Sequence, residues 1–182
     1  SLIDTALLIG LVCLFIRSHN ERIRDVLLGT RKIRREVELG LPLIIGALVL
    51  AVLIIGVIRV FAPSLHNLER NPLEELIKRP RDAWLFAIVV VIAGGVREEI
   101  QRAFLLHRFD VWLGGPIVGL VVTSIGFGLG HGLQGNDVTI ATGMLGLYWG
   151  IVYLRRRSCV APMVSHSGFN LIEVLQYFVA GR

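Results

Sequence analysis

The sequence predicts an all-α protein, a polytopic bundle of about six membrane-spanning helices. Three observations lead there. Hydrophobic residues fill 54% of the 182 positions and the mean hydropathy is +0.68, far above what a soluble chain of this length carries. Apolar runs close to the ~20 residues needed to cross a bilayer recur from one end to the other. Inside those runs, ionisable and amide side chains come in three tight groups, and such groups are costly in lipid unless they serve a purpose.

Taken in order, the runs predict helices over residues 1–17, 41–62, 83–106, 115–132, 138–154 and 160–179. The first begins directly after Ser1, with no basic n-region and no small-residue cleavage site, which reads as an internal boundary and not as a signal peptide. Between the first two lies a charged stretch, residues 17–40, that includes Arg17, Glu21, Arg24, Lys32, Arg35 and Glu36. It suits an amphipathic surface helix or a mobile loop with a solvated charged face, and the basic side chains from Arg17 to Arg35 offer contacts to anionic lipid headgroups. Between the second and third, Pro63, Asn71-Pro72 and Arg79-Pro80-Arg81 bound a short amphipathic stretch, Leu73 to Lys78, that would connect the spans or gate a cavity. The expected division is residues 1–82, two helices with their basic loop and connector, and residues 83–182, a four-helix catalytic core.

Loop charge sets the orientation. With the first loop cytoplasmic, inside loops hold Arg17, Arg22, Arg24, Arg31, Lys32, Arg34, Arg35, Arg108 and Arg155 to Arg157, against Arg70, Lys78, Arg79 and Arg81 outside. The net charge of +5 is therefore a positive-inside bias. With no glycine-rich phosphate loop, repeat or nucleic-acid motif, a nucleic-acid partner is excluded. Cys13 and Cys159 have neither metal-type spacing nor a partner nearby in sequence, and read as buried or interfacial thiols. His107, beside Arg108, reads as interfacial.

The chemistry lies in three segments: Glu98-Glu99-Ile100-Gln101-Arg102, Phe127 to His131, and His166 to Asn170. Residues four apart share a helix face, which aligns Glu98 with Arg102, Phe127 with His131, and His166 with Asn170. Glu98 and Glu99 point about 100° apart, so one faces the site and the other is held by Arg102 or an interface. A carboxylate in an apolar cavity is a natural general base, and imidazoles and a carboxamide can polarise a carbonyl. Either histidine alone serves equally well as a hydrogen-bonder between helices. The glycines at 126, 128, 130 and 132 suit close packing or the approach of a substrate backbone. On this topology His131 falls near the outer end of its span and His166 near the inner side, so tilt, or a fourth segment that continues deeper, must bring them together.

A glutamate pair followed by arginine, then Phe-x-x-x-His, then His-x-x-x-Asn resembles the CPBP (Abi) family of intramembrane proteases, which includes the type II CAAX prenyl endopeptidases. The resemblance covers about residues 83–179; Gln134-Gly135 after His131 and Ala161-Pro162 before His166 extend it. It implies hydrolysis of a peptide bond in a membrane-anchored protein or peptide, in the CAAX branch near a prenylated C-terminus. Glu98 would activate water, His131 would position it, and His166 with Asn170 would stabilise the oxyanion, with Glu99, Arg102 and Phe127 in support. The first motif departs from the family's Glu-Glu-x-x-x-Arg. Aligned on Arg102 without a gap, Glu98 takes the second glutamate's place and Arg97 the first's; aligned on the pair, one residue is missing before Arg102. A π-bulge would reconcile the two. No cofactor is expected, since the His-Glu-x-x-His signature is absent; a zinc-dependent protease would use Glu98, His131 and His166 as ligands. Buried groups of the same kinds would also suit a non-catalytic peptide-binding relative, or a proton- or ion-coupled transporter.

Overall fold

The structure, a computed structural model, describes residues 2–68, 72, 77 and 79–179, and among them there is no strand. The helices are α1 (Leu2–Ser18), α2 (Ile23–Leu27), α3 (Ile33–Phe61), α4 (Pro80–Val89), α5 (Glu98–Trp112), α6 (Pro116–Gly130), α7 (Asn136–Arg156) and α8 (Val160–Val179). A π-helical segment, Val90–Arg97, joins α4 to α5, so residues 80–112 run as one helical rod. Punctuation in the sequence sets these bounds. Pro63 follows the end of α3, Pro80 and Pro116 stand in the first turns of α4 and α6, and Gly114 and Gly115 take positive φ just past α5.

Each of the six expected runs contains a helix. Of these, α3 and α7 are long and apolar enough to cross a membrane. The others miss that measure for visible reasons: α1 has 17 residues and α6 has 15, α8 carries His166, Asn170 and Glu173, and 80–112 is divided among three segments. The outer face of α3 leaves Leu41, Ile45, Val49, Val52, Leu53 and Val60 more than half exposed. A contiguous apolar face of this size calls for a hydrocarbon environment or a covering partner. The expected helix at Leu73 to Lys78 lies, apart from Ile77, outside the described residues.

Packing pairs α3 with α8, α6 with α7, and the π segment with α8, while α1 rests on the π segment and α5. One core cluster joins α1, α2, α5 and α7 through Ile16, Leu27, Leu106 and Tyr153; a second joins α3 to α7 through Ala47, Ala51, Leu145 and Trp149. Two glycines permit close approaches around the motif segments. A Cβ on Gly95 would strike the Ser167 side chain and stand 2.9 Å from its Cα, and one on Gly128 would stand 2.6 Å from the Thr139 carbonyl oxygen. Gly128 is thus a packing residue between α6 and α7, whereas Gly126 and Gly130 face open space.

The charged stretch corrects an expectation. It forms α2 and the first turns of α3, and part of it is fastened down instead of solvated. Glu36 is fully buried and accepts from the Arg156 guanidinium at 2.5 Å. Glu21 accepts from Arg108 and pairs with His107 Nε2 at 2.6 Å, so His107 is pinned as well as peripheral. Tyr153 Oη donates to the Val26 carbonyl and the Cys159 amide to that of Leu27. The partners of Glu21, Val26 and Glu36 in these side-chain bonds lie 86 to 127 residues away in the chain. Local charge pattern carries no sign of them. Arg31, Lys32 and Arg34 remain exposed.

Replacing Gly95 with alanine forces α8 away from the π segment and should destabilise the protein by about 2 kcal/mol, read as a lower Tm in detergent. Burial pushes the Cys159 thiol up to about 12, and only the thiolate reacts. Maleimide at pH 7.5 should therefore leave Cys159 unlabelled in the folded protein and modify it after denaturation, as mass spectrometry of the peptides would register.

Candidate active site

The three motif segments converge on one cavity of about 430 Å³. Glu98, His131, His166 and Asn170 line it, with Phe127 and Trp149, and Ala51 and Ile55 of α3 complete the wall. Arg97, Gln134 and Glu173 add polar groups to the lining. The cavity wall therefore extends beyond residues 83–182.

Neighbouring glutamates face different surroundings. Glu99 is buried and accepts hydrogen bonds from Arg102 and, at 2.9 Å, from His166 Nδ1. Arg102 is 4% exposed, and its guanidinium centre lies 4.4 Å from the Phe127 ring centroid. A buried carboxylate is tolerable only with its charge matched and its lone pairs engaged, and this cluster meets both demands. Glu98 keeps a fifth of its side chain exposed and directs Oε2 to 3.8 Å from His166 Nε2. The partner of Arg102 is thus Glu99, three residues back, and not Glu98, four back as a shared helix face would have it.

The imidazoles are held by acceptors, which fixes their free nitrogens. His131 Nδ1 donates to the Phe127 carbonyl at 2.8 Å, and His166 Nδ1 donates to Glu99. In the neutral ring each Nε2 then carries the lone pair, available to a water or a proton in the cavity. His166 is clamped further by Trp149, whose ring stacks on it at 3.9 Å between centroids and 15° between planes. Trp149 Nε1 in turn donates to Ser165 Oγ at 3.1 Å. Phe127 links the two histidines, its ring centroid lying 4.7 Å from that of His131 and 5.8 Å from that of His166.

Asn170 Nδ2 donates to the Val90 carbonyl at 3.2 Å, leaving its other N–H and its oxygen uncommitted by that bond. A Cβ on Gly94 would stand 2.6 Å from that nitrogen, so the bare backbone of the π segment is what admits the carboxamide. The π irregularity lies before Glu98, whereas Glu98 to Arg102 is regular α-helix. The two alignments of the first motif are therefore not reconciled by a bulge within it. Among the described residues, no three His, Cys, Asp or Glu side chains are grouped to hold a metal ion.

Sequence reasoning missed Trp149, the plate under His166, because an aromatic residue in an apolar run carries no cost that would mark it. It missed Glu173 as well, which stands seven residues after His166 on α8 and so could have been found by extending the His-x-x-x-Asn stripe one more turn.

Residues 80–172, just over half of the chain, match the type II CAAX prenyl endopeptidase Rce1-like family. The chain belongs to that family. Neither a curated protein nor a solved structure matches it. The Rce1-like proteins are membrane-embedded endopeptidases, so the hydrolase and protease reading of the sequence stands, and the substrate class is a membrane-associated protein or peptide. The match begins at α4 and ends within α8, and it takes in all three motifs.

Arg102→Ala leaves Glu99 charged and buried without its cation. It should cost roughly 3–5 kcal/mol of stability, measured by denaturation in detergent, and Arg102→Lys should recover part of that loss, since lysine restores the charge without the fork.

Proposed function

We infer that the protein is a multi-pass intramembrane endopeptidase that cleaves a peptide bond of a membrane-anchored substrate with water activated by Glu98. One observation carries this reading: of the two adjacent glutamates, Glu98 opens onto the cavity shared by His131, His166 and Asn170, while Glu99 is committed to Arg102 and His166. A general base must reach both water and the scissile carbonyl, which Glu98 can do and Glu99 cannot.

In the mechanism, a water between Glu98 and His131 Nε2 gives its proton to Glu98 and attacks the carbonyl carbon. The negative charge that develops on the carbonyl oxygen is met by the free N–H of Asn170. His166, expected to share the oxyanion with Asn170, has its Nδ1–H committed to Glu99 and so leaves that task to Asn170; its Nε2 lies beside the Glu98 carboxyl and relays the proton to the departing amine. Glu99, Arg102, Trp149 and Phe127 hold these groups in place, and the chemistry so written passes through no metal.

In the bilayer, α1, α3, the 80–112 rod, α6, α7 and α8 are the six crossings. The Arg17–Arg35 side of the bundle then faces the cytoplasm, where Arg31, Lys32 and Arg34 reach anionic headgroups. The CAAX prenyl endopeptidase name points to a prenylated substrate with a Cys-aliphatic-aliphatic-X end. Prenylation would tether the peptide to the membrane that holds the cavity.

Purified protein incubated with a fluorogenic farnesylated CAAX-type peptide should cleave it. Glu98→Gln should lower kcat by about 10³-fold or more, and Asn170→Ala by about 10²-fold. Cleavage that survives Glu98→Gln would overturn the assignment of the base, and cleavage lost to chelator and restored by zinc would replace the water activation with a metal.

A further inference from the structure

Among the described residues that line the cavity, Arg97 is the one arginine or lysine, and the proposed mechanism leaves it without a task. It is the last residue of the π segment and the neighbour of Glu98. One edge of its guanidinium donates to Asp4 Oδ2 of α1 at 2.7 Å, the other lies 3.6 Å from Glu98 Oε1, and Nε is buried without a hydrogen-bond partner among the described residues. Asp4 and Glu98 are thus bridged by a single side chain that is about three-quarters buried.

An ion pair as open as Asp4 on a water-washed surface would count for little. What gives this one weight is its buried end: Arg97 keeps only 23% of its side chain exposed and lines the cavity beside Glu98, so its charge needs a partner where it stands. Asp4, in the first turn of α1, supplies that partner from toward the outer end of its crossing. The 3.6 Å gap to Glu98 is longer than a hydrogen bond, so the arginine attracts the carboxylate without occupying the lone pair that must take a proton.

We propose that Arg97 is a positioning residue that orients the Glu98 carboxylate into the cavity, and that Asp4 of α1 holds Arg97 in place for that task. This rests on the assignment of Glu98 as base. It draws α1, which lies outside the stretch matched to the family, into the working site. Without Asp4, the guanidinium is free to close on Glu98 and take up the oxygen that water needs. Without Arg97, the carboxylate loses the charge that draws it to one side of the cavity. Either change alters the geometry of attack and leaves the surfaces that hold the peptide untouched.

The test measures kcat and KM separately on the farnesylated peptide for Asp4→Asn, Asp4→Glu, Arg97→Gln, Arg97→Lys and the Asp4→Asn/Arg97→Gln double variant, with Glu98→Gln alongside and Tm recorded for each. Asp4→Asn should lower kcat about tenfold and Arg97→Gln more, with KM nearly unchanged. Asp4→Glu and Arg97→Lys should recover most of the loss, and the double variant should be no slower than Arg97→Gln alone. Full kcat in Asp4→Asn, or additive losses in the double variant, would overturn the proposal. So would a rise in KM confined to peptides with a free C-terminal carboxylate, which would make Arg97 a substrate contact. An active Glu98→Gln would instead remove the base assignment itself, so the two failures are distinguishable.

Discussion

The site depends on one constraint: Glu99 has no access to solvent and must be neutralised where it stands. Arg102 matches its charge from the same helix, and His166 donates a hydrogen bond to it from across the bundle. Because the two partners sit on different elements, satisfying Glu99 also ties α5 to α8. The rest of the geometry then follows step by step. Arg102 lies over Phe127, which brings in α6; His166 lies on Trp149, which brings in α7. Four helices are thus indexed to one carboxylate, and Glu98, about 100° around the helix from Glu99, is left facing the space they enclose.

The π segment makes the second adjustment. With an i→i+5 pattern it winds more loosely than an α-helix and changes the rotational phase of whatever follows. It also bares its backbone at Gly94 and Gly95 toward α8, so that Ser167 packs directly on it and Asn170 bonds to Val90. A regular helix with side chains at those two positions would hold α8 farther off and separate Asn170 from the glutamates. The irregularity and the glycines act together as the seat for the third motif.

The helices were legible because apolar runs of bilayer length are long signals, and the three motifs were legible because polar groups in such runs stand out. That one glutamate would face the cavity and its neighbour pair with Arg102 followed from the helical period, while which was which did not, since Arg102 lies three residues from one and four from the other and both spacings are compatible with contact. The clasp around Glu21 and Glu36 was hidden for a different reason. Acidic residues in a basic stretch read locally as a solvated face, and only tertiary structure shows that His107, Arg108 and Arg156 close on them. Trp149 was silent because burying an aromatic ring breaks no rule.

That tryptophan has a consequence of another kind. Trp84 and Trp112 are largely exposed, whereas Trp149 is 1% exposed and stacked on His166. Indole emission shifts to the blue in an apolar setting and is quenched by a protonated imidazole in contact. The stacked pair therefore places an intrinsic fluorophore directly against a side chain of the reaction centre, without any attached dye.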